Sequence, residues 1–165
     1  MEWIRQIARL CILIALQIFL FNRLQLGCWG YPMVYILFLI NLPAQTPRWA
    51  EMLTGFTIGM IFDLWFSSLG IHTAACVAIS YLRPLMLGNF LQESERLSGE
   101  VRSLTIGRIE YLKLAIILVV IHHFIVFALE TWNFQNWWMV LVQTLVSSIF
   151  TLVIVLGYDF LRGMS

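Results

Sequence analysis

The sequence predicts an all-α integral membrane protein of about six transmembrane helices, forming one polytopic domain over residues 1–165. Three observations predict it. The chain is 61% hydrophobic and only 12% charged, where a soluble domain carries roughly a quarter charged residues. A small soluble fold leaves much of its surface in water and has nowhere to hide so much apolar area, whereas lipid-facing helices can be apolar all round. Six apolar runs approach the roughly 20 residues that cross a hydrocarbon core as helix. Finally, the basic residues alternate between the ends of those runs in a way that fixes an orientation.

The first run covers 4–21. Arg5 and Arg9 ahead of an apolar stretch resemble a signal peptide, but no small-x-small cleavage site follows, so the segment reads as an uncleaved first span. The second covers 26–42 and is interrupted by Gly27, Gly30 and Pro32. The third covers 50–69. The fourth covers 71–87 and is expected to end on the cytoplasmic side at Arg83-Pro84, because proline disfavours helix at the residue before it. The fifth covers 112–129, and the sixth covers 137–156 with room to extend to Leu161.

Six spans place both termini on one side. With the N-terminus inside, Arg5, Arg9, Arg48, Arg83, Arg96, Arg102, Arg108, Lys113 and Arg162 are cytoplasmic and only Arg23 lies outside, as the positive-inside rule requires. Trp29, Tyr31, Trp65, Trp132, Trp137 and Trp138 then fall at outer ends, and Trp3, Trp49, Tyr81, Tyr111 and Tyr158 at inner ends, where amphipathic rings prefer to sit. The polar stretch 88–111 has Leu97, Val101, Leu104 and Arg108 at helical spacing; a surface helix and a solvated loop are both open there, and Gly99 and Gly107 oppose a long helix. The net charge of +1, with scattered basic residues, gives no footprint for nucleic acid.

Polar residues inside spans are costly and mark the places to look. Asp63 lies roughly 16 Å along the third span from Met52, at 1.5 Å per residue, in its outer half. Gly55, Gly59 and Asp63 recur at i, i+4 and i+8 and share a face. A face of small residues lets another backbone come close, so Asp63 points into protein. Spans three and four meet at a tight turn, 67–70, and Asp63 and His72 are equidistant from its centre. Asp63 therefore bonds to His72, or to the unpaired backbone N–H groups that begin the fourth span. The simpler reading is a hairpin lock; a proton or ligand site is the alternative. Arg83 reads as an anchor at the inner interface.

In the fifth span, His122 and His123 point about 100° apart and do not suit one metal, while His123 and Glu130 share a face. Hydrogen bonding between helices suits them better than zinc, which needs three or four ligands that no HExxH or cysteine cluster supplies. The cysteines, Cys11, Cys28 and Cys76, read as small apolar filler. No GxSxG, paired intramembrane aspartates or phosphate-binding glycine loop occurs, and Ser67 and Ser68 beside His72 are a weak nucleophile signal. No cofactor is expected.

The run Gly55-Phe56-Thr57-Ile58-Gly59-Met60-Ile61-Phe62-Asp63, then Leu69-Gly70-Ile71-His72-Thr73-Ala74, then Tyr81-Leu82-Arg83-Pro84, resembles the rod shape-determining protein MreD family. The family's commoner second element is G-hydrophobic-H-A; here Thr73 stands before Ala74. The motif covers about thirty residues and the remaining spans match mainly in hydropathy. The resemblance implies a non-enzymatic scaffold of the cell-wall elongation machinery in the bacterial cytoplasmic membrane. Its partners would be a single-span MreC-like protein and, in the wider assembly, MreB, RodA and a class B transpeptidase, with a homodimer as a further candidate. It also implies a fold similar to the substrate-binding subunits of energy-coupling-factor vitamin transporters, which leaves a small-molecule-binding subunit as the alternative function. Gly55, Gly59, Asp63, Gly70, His72, Arg83, Pro84, His122, His123 and Glu130 become structural or partner-binding candidates. The partner's membrane helix is expected against spans two to four.

Overall fold

The computed structural model describes residues 2–23, 29–90, 100–132 and 136–163. Among these the chain is almost entirely helical: α1 (Glu2–Phe19), closed by a 3-10 turn (Phe21–Arg23), α2 (Ile36–Ile40), α3 (Arg48–Phe66), α4 (Ile71–Phe90), α5 (Ser103–Ile106), α6 (Arg108–Thr131) and α7 (Trp137–Gly163). Four stretches are helices long and apolar enough to cross a membrane: Ile4–Arg23, Ile71–Asn89, Arg108–Thr131 and Trp137–Arg162. The nineteen-residue α3 matches α4 in length, but Glu51, Asp63 and its glycines lower its hydropathy.

The surface is inverted relative to a soluble protein. Leu64, Leu145, Val153 and Phe160 are exposed, while Gln17, Glu51, Asp63, His72, Arg83, His122, His123 and Thr151 are buried. That arrangement is compatible with a bilayer, because apolar area in lipid costs nothing and polar groups there need protein partners.

Helices α3 and α4 pack antiparallel, α4 against α6, and α6 against α7. Glycines set the first contact. A Cβ on Gly59 would lie 2.4 Å from the Thr73 Cα, and one on Gly55 would lie 2.8 Å from the Cys76 carbonyl. The expected small-residue face thus finds its neighbour in α4. Gly59→Ala must push two backbones apart, at roughly 1–3 kcal/mol by analogy with overpacked cores. Its thermal midpoint in detergent should fall, whereas Gly157→Ala, with open space around it, should be neutral.

Two sequence expectations need correction here. Arg83-Pro84 does not end the fourth span: Pro84 sits inside α4, which runs on to Phe90. Pro84 removes the N–H that would serve the carbonyl of Ser80, but helices packed in a membrane tolerate such a gap. The second segment bears out the interruption expected at Gly30 and Pro32 but is not a whole transmembrane helix: α2 is its one α-helix among the described residues, and 30–35 is irregular. Gly30 has φ +119, a conformation closed to L side chains.

Of the stretch 88–111, residues 88–90 end α4, 108–111 begin α6, and α5 is the one helix described between them; Arg96, Leu97 and Gly99 lie outside the described residues, as do Gly27 and Cys28. Val101 and Ile106 are buried and Leu104 is exposed. Tyr111 is buried too and donates to the Asn41 Oδ1 at 2.9 Å, so it is a core residue and not an interface ring. At this end Glu100 accepts from Gln6 Nε2 (2.7 Å), Arg9 Nη1 (2.9 Å) and Arg162 Nη1 (2.9 Å), which ties α1 to α7. Burial opposes the Glu100 charge, but the Arg162 and Arg9 guanidiniums outweigh it and hold the carboxyl below the ordinary glutamate value of about 4.5. A depressed folded value means that the tie stabilises fully above that pH and is lost as pH falls through the lower folded value. The thermal midpoints of wild type and Glu100→Gln should therefore differ at pH 7 and converge in acid.

Candidate functional site in the broken segment

Residues 30–42 run through the middle of the helices. Met33 to Ile40 are each at most 6% exposed, with α1, α3, α4, α6 and α7 around them. Backbone groups buried outside a helix must find other partners, and here side chains supply them. The Ser147 Oγ accepts from the Tyr31 N–H (3.1 Å) and the Thr151 Oγ1 from the Met33 N–H (3.1 Å). The Gln17 amide grips both sides of one turn, donating to the Pro32 carbonyl (3.0 Å) and accepting from the Val34 N–H (2.6 Å). Gly30 lies so close to α7 that a Cβ would meet the Ser147 Oγ at 2.2 Å.

Arg83 holds the other end. Its Nε donates to the Ile40 carbonyl (3.1 Å), its Nη2 to the Leu42 carbonyl, and its Nη1 to the Glu51 Oε1 (2.5 Å). Arg83 and Glu51 are each 1% exposed. The expected interface anchor is instead a buried ion pair clamping the segment, since the orphan carbonyls after α2 offer a guanidinium fork more than headgroups do.

Asp63 closes the α3–α4 hairpin. Its Oδ1 accepts from the Ser68 Oγ (2.6 Å) and the His72 N–H (2.9 Å). Its Oδ2 accepts from the Thr73 N–H (2.8 Å) and the Thr73 Oγ1 (2.5 Å). Of the two expected partners, the backbone at the start of α4 is the one observed, and Asp63 does not bond the His72 ring. Gly70, at φ +87, makes the turn between. The Ser68 hydroxyl donates to Asp63, so it forms no nucleophile pair with His72.

The His72 ring turns inward. Its Nδ1 is 3.0 Å from the Tyr35 hydroxyl, which is also 3.1 Å from the His122 Nε2. One phenol thus joins α4 and α6 to the broken segment, and its single proton can serve only one of the two imidazoles. His123 pairs elsewhere, with the Val119 carbonyl (2.8 Å) and the Thr151 Oγ1 (3.2 Å). Glu130 accepts from the Tyr31 hydroxyl at 2.8 Å, so His123 and Glu130 share a face without meeting. Both histidines make the interhelical bonds expected of them, and no group of three or more metal-ligating side chains able to hold an ion occurs among the described residues.

Tyr35, Gln17, Glu51, Ser147 and Thr151 escaped the sequence reading. Gln17 was findable, being the one amide between Leu10 and Phe21. Thr144, Ser147, Ser148 and Thr151 recur at helical spacing on one face of α7, which also marks a buried polar stripe. Tyr35 carried no signal in an apolar stretch.

On α3 and α4 lies a groove of about 550 Å³ lined by Phe56, Met60, Leu64, Gly70, Ala74 and Val77, with Asp63, Ser68 and Thr73 also reaching it. A second, of about 340 Å³, runs between α6 and α7 past Phe124, Trp138 and Leu145. No family model, curated protein or solved structure matches the chain.

Proposed function

We infer that the chain is a non-enzymatic scaffold of the bacterial cytoplasmic membrane, resembling MreD, that holds a single-span MreC-like partner and so acts in cell-wall elongation. It crosses the membrane six times, by α1, the broken segment, α3, α4, α6 and α7, with both termini cytoplasmic. Arg9, Arg102 and Arg162 gathering at one end with Glu100 support that orientation.

One observation carries the scaffold reading. The residues of the motif, Gly55, Gly59, Asp63, Gly70 and His72, serve to lock α3 on α4 and to fix the broken segment. A chain built to take up a small molecule needs polar groups converging on open space; here the Asp63 oxygens already accept four hydrogen bonds. The segment 30–42 is buried except at Tyr31, so the docking face proposed is that of α3 and α4. Their groove, lined in part by the small residues Gly70 and Ala74, suits close approach of an apolar helix. The wider assembly would be reached through that partner.

Co-purification in mild detergent with native mass spectrometry tests this. A one-to-one or two-to-two complex with a single-span MreC-like protein, lost on Ala74→Trp in the groove, is the expected result. A protein that purifies alone with a bound small molecule would favour the vitamin-type subunit instead. That second reading has one observation behind it: interrupted membrane segments line binding sites in transporters. Purification as a homodimer closed over α3 and α4 would exclude the partner from that face.

A further inference from the structure

We propose that Tyr35, His72 and His122 form an acid-sensitive latch that holds the broken segment to α4 and α6. The Tyr35 hydroxyl lies 3.0 Å from the His72 Nδ1 and 3.1 Å from the His122 Nε2. Its ring is buried and stacks 4.1 Å from the Phe62 ring, which fixes the hydroxyl between the two imidazoles. Each contact holds one proton, so two protons close the latch. The His122 Nδ1 sets their direction, because it is buried and has no hydrogen-bond partner. By the rule for backbone groups, a buried N–H left without an acceptor is the rarer defect. His122 therefore carries its proton on Nε2 and donates to the phenol oxygen, and the phenol donates to the His72 Nδ1.

A further proton has no place in this chain. Taken up at the Nδ1, it turns His72 into a donor to the phenol. The phenol then turns its own proton toward the His122 Nε2, and the proton of His122 shifts to the Nδ1 that has no partner. The Met33 Sδ, 3.6 Å from the hydroxyl, is a weak alternative acceptor. Either way the closed arrangement loses one hydrogen bond. The other titratable groups around the latch are engaged. Asp63 on α3 accepts from Ser68, Thr73 and the His72 N–H, His123 on α6 meets the Val119 carbonyl and Thr151, and Tyr31 meets Glu130. Cys76 on α4 brings its thiol to 3.8 Å from the His122 Nε2. The Arg83–Glu51 pair clamps the far end of the segment. From α1 and α7 the segment meets Gln17, Ser147 and Thr151, none of which titrates.

The latch does not rest on the scaffold reading, and its test uses the isolated protein in nanodiscs. Parent and variants all carry Glu100→Gln, so that the acid-labile tie between α1 and α7 is absent throughout. Peptide-resolved hydrogen exchange, corrected for the intrinsic effect of pH, reads the protection of residues 31–40. Between about pH 8 and about pH 4 that protection should fall about 10-fold in the parent, the worth of roughly one hydrogen bond. His72→Asn places an amide oxygen where the Nδ1 stood. It accepts from Tyr35 but takes up no proton, so protection should stay high at both pH values. Tyr35→Phe removes the hydroxyl and should show low protection at both. Nitrogen-15 spectra of histidine-labelled protein at about pH 8 should find the His122 proton on Nε2. Unchanged protection in the parent, a fall in His72→Asn equal to the parent's, which would assign the effect to a carboxylate such as Asp63, or a His122 proton on Nδ1 at the higher pH would overturn the proposal. Where Tyr35→Phe folds poorly, the contrast between parent and His72→Asn decides.

Discussion

Arg83→Met should leave little folded protein in detergent extracts. The substitution strands the Glu51 carboxylate in the interior and removes the donors of the Ile40 and Leu42 carbonyls. Breaking a buried pair from one side costs about 3–5 kcal/mol because the other charge stays behind without compensation. Glu51→Leu/Arg83→Met removes both charges and should recover part of that loss, but not the part due to the two carbonyls. Arg83→Lys should fall between, since an ammonium cannot span three acceptors as a planar fork does. Thermal midpoints of the four proteins, in one detergent, give the ordering. Wild-type stability in Arg83→Met would return Arg83 to the inner interface, with its charge among headgroups.

Asp63→Ala should be the next most damaging change. It leaves the His72 and Thr73 N–H groups, in the first turn of α4, without their acceptor. Hydrogen bonds to a charged group contribute about 1.5–3 kcal/mol each, so a loss of about 3 kcal/mol or more is expected. Asp63→Asn is the sharper test. An amide keeps one accepting oxygen but turns its NH2 toward donors, so a hairpin lock predicts a substantial loss for Asn as well. A group that works by taking up a proton would tolerate Asn, which imitates the protonated acid. Equal stability of Asp63→Asn and wild type would therefore end the lock.

The sequence reading located α3 closely: it expected 50–69, and α3 is Arg48–Phe66. It also found the α3–α4 turn, the small-residue face and the backbone alternative for Asp63. These are local matters. Glycines at i and i+4 share a face wherever the helix goes, and a turn of four residues brings Asp63 to the start of α4 by chain length alone. Arg83 was misjudged for the opposite reason. Its position near the end of an apolar run is compatible with headgroups and with the interior alike, and its acceptors lie 32 to 43 residues away.

The sequence by itself determined the all-helical, apolar class of the protein and the places of its long helices, though not the end of α4. A helix in lipid satisfies its own backbone, so hydropathy over some twenty residues suffices to mark it. Only the tertiary structure decided the path of residues 30–42. That segment leaves its backbone groups unpaired, and its partners, Gln17 and Thr151, stand 15 to 118 residues away in the chain. Its conformation exists only where those side chains converge, and hydropathy carries no record of which distant side chains will do so.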